Sequence, residues 1–248
     1  AGTYYLVDGE GWINASDLST TDNRIEAVQK VLNEKYNNQE RISVYVKQLD
    51  TDRVAAINDE KSMYAASVAK LGVLYYAQER LSQKKLSLSD EYQYTSAVNG
   101  FPGAYDPDGS GKISKMPDDK NYSLENLLKA VAQNSDNVAT NILGYYVTNQ
   151  YDKAFQKSVD KAAATSWNMD KKELTARAAG TLMEAVYRQN GDIITYLSST
   201  DYDGERISKN IDVPVAHKIG DAYDFKHDVA IVYADSPFIL SIFTDKEG

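Results

Sequence analysis

The sequence predicts an α+β fold in which both chain ends contribute strands to one antiparallel sheet and a helical domain packs against it. Near the start, apolar and other residues alternate over 42–46, which is the two-residue period of a strand, and 53–57 follows as a hairpin partner. Near the end, strand-like runs separated by turns occupy residues 213–218, 227–233 and 238–243. Because these strands enclose a helical middle, we expect the two ends to pair.

Apolar residues spaced three or four apart predict the helices of that middle region. The first helix, over 22–36, has an apolar face formed by Ile25, Val28, Val31 and Leu32. The second, over 67–81, places Leu71, Leu74 and Leu81 for burial. Further helices are predicted near residues 123–133, 137–147, 152–163 and 175–189, whereas residues 82–121 are polar and rich in turns.

Composition excludes several classes of function. Acidic residues outnumber basic ones by 36 to 27, and the formal charge of −9 argues against binding a nucleic-acid backbone or an anionic membrane. The chain has no cysteine, so disulfides, thiol nucleophiles and thiolate metal sites are excluded. No stretch approaches the roughly 20 apolar residues of a transmembrane helix.

The first twenty residues stand apart from the remainder. Tyr4 to Val7 and the Trp12-Ile13 pair predict two short strands around a glycine-rich turn. Together with residues 15–18, this segment resembles the tail of a bacterial SH3-like or GW wall-binding module, although a plain N-terminal extension is the alternative. We therefore divide the chain into a stub, 1–20, and a main domain, 21–248.

A hydroxyl and an amine fall together at the start of the second predicted helix. In Ser67-Val68-Ala69-Lys70 the serine and the lysine are three residues apart, so they share one helix face. A serine hydroxyl becomes a good nucleophile only when a base takes its proton. The pattern alone is weak, because Ser82 and Lys85 repeat it in a polar stretch and because Ser67 could be an ordinary helix cap.

Two further elements follow along the chain. Ser135-Asp136-Asn137 precedes an apolar helix, where a simple N-cap is the alternative interpretation. Lys218-Ile219-Gly220 closes the predicted strand 213–218, where a strand end and turn would be the ordinary explanation. The order of the three elements is more informative than any one of them.

In this order the elements resemble the Ser-x-x-Lys, Ser-Asp-Asn and Lys-Thr-Gly motifs of class A β-lactamases and penicillin-binding proteins. Residues 133–143, 175–186 and 213–233 also read like the corresponding class A segments, so the resemblance covers roughly residues 22–245. It implies a β-lactamase/transpeptidase-like fold and a serine hydrolase that acts on β-lactams or D-alanyl-D-alanine-type peptides. It implies no required cofactor.

The resemblance also implies roles for three catalytic residues. Ser67 would attack the substrate carbonyl, Lys70 would accept its proton, and Ser135 would relay a proton to the leaving nitrogen. The backbone N–H groups of Ser67 and Asp221 would form the oxyanion hole.

Substrate binding would fall to a second set of residues. Asn137 would hold the amide of the substrate side chain, and Lys218 would attract the substrate carboxylate. Ile219, Gly220 and Asp221 would continue the strand that lines the groove. The family has threonine or serine where this chain has Ile219, so a hydroxyl that would bind the carboxylate is replaced by an apolar side chain.

A second departure concerns deacylation. Class A enzymes carry a loop glutamate, in a Glu-x-x-Leu-Asn context, that activates the deacylating water, and this motif is missing between residues 137 and 175. The acids present there are Asp160, Asp170 and Glu173, and Glu173-Leu174 is the nearest fragment. Without a positioned base, we expect the acyl-enzyme to persist, as in a penicillin-binding protein.

The loop at 106–114 resembles the first half of a calcium-binding loop. Oxygen-bearing side chains alternate at Asp106, Asp108 and Ser110, and glycine occupies the sixth position. The acid expected at the twelfth position is missing, because Pro117 lies there. A structural calcium ion and a rigid turn are therefore both open.

Three functions are compatible with these observations. The first is a slowly deacylating, cell-surface serine hydrolase, extracellular in a Gram-positive-type envelope, with β-lactams or peptidoglycan peptides as partners. The second is a true β-lactamase with an unconventional deacylating water. The third is a non-catalytic module that uses the groove and the N-terminal stub to bind cell-wall polymer. The sequence does not indicate an oligomeric state.

Overall fold

The computed structural model describes residues 2–7, 11–14 and 22–245, and these residues contain eleven strands and eight α-helices. The strands are β1 (Tyr4–Val7), β2 (Gly11–Asn14), β3 (Ile42–Gln48), β4 (Val54–Ile57), β5 (Met63–Tyr64), β6 (Glu91–Gln93), β7 (Asn121–Ser123), β8 (Glu173–Leu174), β9 (Val215–Ala222), β10 (Phe225–Val232) and β11 (Phe238–Asp245). The helices are α1 (Arg24–Tyr36), α2 (Lys70–Ser82), α3 (Leu124–Asn134), α4 (Asn137–Tyr146), α5 (Lys153–Ala163), α6 (Ala176–Gln189), α7 (Asp192–Leu197) and α8 (Arg206–Lys209).

The main sheet joins the two ends of the chain. Its strand order is β4-β3-β11-β10-β9, and every neighbouring pair is antiparallel. The central pairing of β11 with β3 sets Ile242 opposite Val44. This topology confirms the predicted α+β fold with a sheet built from both termini.

Each face of the sheet packs against helices. One face contributes Tyr45, Val229 and Phe243 to the main core, which also contains the buried residues of α2 and α6. On the other face, α1 covers Val44 and its neighbours, while Ile207 of α8 covers the β10 side. None of the described helices has both the length and the apolar composition needed to cross a lipid bilayer.

Three predicted details were wrong. The helix expected from residue 67 begins instead as a 3-10 turn over Ala66–Ala69, and α2 follows it. The strand expected to close near residue 218 runs on to Ala222, so the Lys218-Ile219-Gly220 motif lies inside β9. Val31 is 44% exposed and is not part of the buried face of α1.

The N-terminal strands form the predicted hairpin. β1 pairs with β2 so that Leu6 lies opposite Trp12. Tyr4, Tyr5, Leu6 and Trp12 are all more than half exposed. Residues 8–10 of the turn and the segment 15–18 lie outside the described residues, and the assignment of 1–20 as a separate stub stays a prediction.

Candidate active site

Ser67 lies on the 3-10 turn between β5 and α2. Ala66, directly before it, has a φ of +49°, a left-handed conformation that is costly for a residue with a side chain. The turn is held on both sides, because the Ala65 N–H donates to Lys172 O at 2.6 Å and the Lys70 N–H donates to Ser67 O. Ser67 itself is half-buried.

Lys70 is completely buried at the base of this turn. Its Nζ donates to Ser135 O at 2.7 Å and to Asn137 Oδ1 at 2.5 Å, and Ser135 Oγ lies 3.4 Å away. These acceptors match the three donors of an ammonium group. Among the hydrogen bonds of the described residues, none joins Ser67 Oγ to Lys70. The two residues remain on one turn, three positions apart.

Ser135 connects the two lysines. It is the C-cap of α3 in a left-handed conformation, with φ 54°, and this directs its hydroxyl into the site. Lys218 Nζ from β9 donates to Ser135 Oγ at 2.8 Å and to Ile219 O at 3.0 Å. A single hydroxyl therefore lies between a lysine of α2 and a lysine of β9, which are far apart in the sequence.

Burial lowers the pKa values of both amines. Desolvation is the largest cause for Lys70, whose pKa lies well below its usual value, and the charge of Lys218 lowers it further. Desolvation also lowers the pKa of Lys218 to about 7. A buried amine of lowered pKa can be neutral near physiological pH and can then accept a proton.

Strand β9 passes directly against the Ser67 turn at Gly220. A Cβ atom built at Gly220 would lie 2.6 Å from Ala65 O and 3.2 Å from Val68 N. Only glycine permits this approach, which brings the backbone of Asp221 to the turn. Ile219 is 7% exposed and, by strand alternation, lies on the face of β9 opposite Lys218.

Arg206 is a site residue that the sequence analysis missed. Its guanidinium donates to Gly220 O at 2.9 Å and to His227 O at 2.6 Å, and it forms an ion pair with Asp221. These bonds hold the end of β9 in place beside the site. No sequence signal distinguishes Arg206, because it opens the four-residue helix α8, which the sequence analysis did not predict.

The loop at 106–111 closes one side of the site. Ser110 Oγ donates to Ser135 O at 2.6 Å, and Asn137 Nδ2 donates to Asp106 O at 2.7 Å. Asp136 anchors the loop's end by accepting the N–H of Lys112 at 2.6 Å. Asn137 is 8% exposed as a result.

The hydrogen bonds of this loop use two of the three side chains that were predicted to bind calcium. Ser110 is directed at the active site, and the Asp106 carboxylate accepts the N–H of Asp108 at 2.9 Å. The described residues contain no group of three or more histidine or acidic side chains arranged to hold a metal ion. The loop therefore forms a wall of the site, and calcium at Asp106, Asp108 and Ser110 stays a prediction.

The segment before α6 brings a lysine to the site and no acid. Glu173 is exposed on β8, and Asp170 is exposed as well. Asp160 accepts hydrogen bonds from Gln156 and from the Trp167 N–H. The segment's buried charged residue is Lys172, which the sequence analysis did not single out.

His227 holds the strand that leads into the Ser67 turn. Its Nε2 donates to Tyr64 O at 2.9 Å, and its Nδ1 accepts the Thr244 N–H at 3.2 Å, so the neutral ring satisfies both partners. Burial lowers the pKa of His227 to about 4. The unfolded value is about 6.5, so this stabilisation is complete above pH 6.5 and is lost as the pH falls towards 4.

We therefore predict a difference in acid sensitivity between the wild-type protein and His227→Gln. Between pH 7.5 and 4.5 the wild type should lose about 2 kcal/mol more of its free energy of unfolding than the variant, measured by urea denaturation. His217 titrates in the opposite sense, because the carboxylates of Asp228 and Asp203 outweigh burial and raise its pKa. That contribution is common to both proteins. Parallel pH profiles would contradict the prediction.

The fold is of the β-lactamase/transpeptidase class. The chain matches the beta-lactamase enzyme family over residues 23–248 and belongs to that family. No curated protein sequence matches it.

Solved structures share the fold at low identity. The structure of PBP-A has a TM-score of 0.73 and 14% identity, over 89% of this chain and 87% of that one. A beta-lactamase from Sphaerobacter thermophilus has a TM-score of 0.71 and 15% identity, over 91% and 89%. A variant of the class A beta-lactamase of the last common ancestor of Gram-negative bacteria has a TM-score of 0.71 and 17% identity, over 90% and 91%.

Proposed function

We propose that this protein is a serine hydrolase that forms an acyl-enzyme at Ser67 with β-lactams or D-alanyl-D-alanine-type peptides. The observation that carries the proposal is the convergence of Lys70, three residues after Ser67, and Lys218 on the hydroxyl of Ser135. Two buried amines around one hydroxyl form a proton-transfer path. Membership of the beta-lactamase enzyme family supports the assignment.

The proposed acylation uses these groups in sequence. Ser67 Oγ attacks the amide carbon and Lys70 takes its proton, so the C–O bond forms as the O–H bond breaks. The N–H groups of Ser67 and Asp221 stabilise the negative oxygen of the intermediate. The C–N bond then breaks, Ser135 gives its proton to the leaving nitrogen, and Lys70 returns a proton to Ser135.

Binding of the substrate is proposed to follow the same geometry. The Lys218 ammonium attracts the substrate carboxylate, and Asn137 at the loop wall contacts the substrate amide. Ile219 adds no hydroxyl donor for the carboxylate. A hydrogen bond to a charged group is typically worth about 1.5–3 kcal/mol, so weak ground-state binding is expected.

Mass spectrometry of the intact protein tests acylation. The wild type, incubated with a reporter penicillin, should gain the mass of one opened penicillin, and peptide mapping should place it on Ser67. Ser67→Ala should gain nothing. Ser82→Ala is the matched control, because Ser82 belongs to the exposed repeat of the same pattern and its loss should leave labelling unchanged. An unlabelled wild type would refute the proposal.

Slow deacylation is a separate prediction. The acids of the segment before α6 are exposed or bound to neighbouring groups, and we infer that none of them activates a water at the ester. A chromogenic cephalosporin should give a burst of about one equivalent of product per protein, followed by a much slower phase. Sustained fast turnover would instead favour a true β-lactamase. A mutant of the structurally similar PBP-A forms an acyl-enzyme complex with penicillin G.

Placement at the cell surface is part of the proposal. Exposed aromatic side chains such as Tyr5 and Trp12 on the β1–β2 hairpin offer stacking surfaces for cell-wall polymer. Sedimentation with purified peptidoglycan tests this: Trp12→Ala should reduce binding while Ser67→Ala leaves it unchanged. If Ser67→Ala were also without effect on every other function of the protein, the non-catalytic binding module would be the better interpretation.

A further inference from the structure

Lys172 is a buried cation whose presence beside the site needs an explanation. Its side chain is 6% exposed, and its Nζ donates to Gly103 O at 2.8 Å. Among the described residues, no carboxylate forms an ion pair with Lys172. Desolvation of an ammonium without an ion pair costs free energy, and the charge of nearby Asp170 offsets it only in part, because burial still lowers the pKa of Lys172; a purely structural role is therefore a poor explanation.

Lys172 and Lys70 share one aromatic ring. The Nζ of each lies 4.5 Å from the centroid of the Tyr105 ring, so the two amines are at most twice that distance apart. Asn141 fixes Tyr105 by accepting its N–H at 2.7 Å and donating to its carbonyl at 2.8 Å. The Tyr105 hydroxyl donates to Ala66 O at 3.3 Å, beside Ser67.

The backbone also ties Lys172 to the Ser67 turn. Its carbonyl accepts the Ala65 N–H, while its side chain contacts Tyr105. Tyr105 is buried, and burial raises its pKa well above the usual value, so the ring is a neutral spacer. Lys172 thus places a positive charge beside Lys70 without a direct hydrogen bond.

We propose that Lys172 is a positioning residue for acylation: its buried ammonium disfavours a second positive charge at Lys70 and keeps that amine able to accept the Ser67 proton. This inference rests on the function proposed above. It gives a role to a residue that has no contact with the attacking hydroxyl.

Other charges around Lys70 act alongside Lys172. Lys218 from β9 and Lys115 from the loop also lower the pKa of Lys70, while Asp136 raises it. Lys218 has its own pKa near 7 and loses its charge above that pH. Burial lowers the pKa of Lys172 too, and nearby Asp170 opposes that shift. The contribution of Lys172 must therefore be separated by substitution.

The test is the pH profile of Ser67 acylation by a reporter penicillin. Lys172→Met removes the charge, and Lys172→Gln removes it while keeping a donor for Gly103 O. Both variants should move the acid limb of the profile to higher pH. The ratio of the wild-type to the variant acylation rate should therefore be about tenfold larger at pH 5.5 than at the pH optimum. Lys171→Met, next to Lys172 but exposed, should leave the profile unchanged.

Two outcomes would overturn the inference. One is an equal loss at every pH in both Lys172 variants, which would indicate a purely structural role. The other is an unshifted acid limb. Titration of the Lys70 ¹³Cε resonance by NMR gives the same comparison without any reaction with penicillin, so the inference is tested even if wild-type acylation fails. An unlabelled wild type would refute the proposed function, whereas an unshifted Lys70 titration would refute only the role of Lys172.

Discussion

Lys70→Met is expected to reduce the second-order rate of Ser67 acylation by a factor of about 10²–10⁴, the usual contribution of a general base. The methionine side chain has similar length and no charge, so it fits the buried position. The substitution removes the amine of the residue that caps the 3-10 turn carrying Ser67. The rate is measured by the time course of covalent labelling with a reporter penicillin.

The control separates catalysis from folding. Lys70→Met removes the Lys70 hydrogen bonds to Ser135 O and Asn137 Oδ1, which keep Ser110 Oγ as a donor, and this should lower the free energy of unfolding by about 1–3 kcal/mol. Lys85→Met removes the amine of the exposed Ser82 repeat and should change neither labelling nor stability. A folded Lys70→Met protein that labels within threefold of wild type would show that another group is the base.

The fold could be predicted from the sequence because the patterns that indicate its helices and strands are local and periodic. Ile42, Val44 and Val46 alternate at the period of a strand, and β3 accordingly pairs with β11 in the centre of the sheet. The apolar spacing over 175–189 predicted α6 almost to the residue. The start of α2 was harder to predict, because the left-handed conformation of Ala66 and the 3-10 turn that begins there have no sequence signature.

The candidate site likewise contains some residues that could be predicted from the sequence and others that could not. The motif residues Lys70, Ser135 and Lys218 could be selected because their order along the chain is informative, and in the structure they contact one another. Arg206 and Lys172 could not be selected, because a basic residue outside the recognised motifs looks like a solvated surface charge. Their importance depends on tertiary burial, which is decided by residues distant in the sequence.

Gly220→Ala should have a comparably large effect on acylation with a smaller chemical change. The new methyl group would start 2.6 Å from Ala65 O, which is backbone and cannot rotate away. β9 and the Ser67 turn must therefore separate, and the separation displaces the Asp221 N–H and Lys218 from the reacting groups. A misplacement of about 1 Å can cost about 10²-fold in rate, so acylation should fall by about that factor.

Gly204→Ala is the matched control, because no atom lies within 4 Å of the added methyl group and the backbone there is ordinary. It should label at the wild-type rate. In Gly220→Ala, the loss should appear in the maximal acylation rate more than in the concentration of penicillin that gives half of it, because the Asp221 N–H acts on the intermediate, whereas displacement of Lys218 affects binding of the carboxylate. An unchanged rate in Gly220→Ala would mean that β9 can retreat without disturbing the chemistry. The oxyanion would then have to be held by donors other than the Asp221 N–H, and the contact between β9 and the Ser67 turn would serve packing alone.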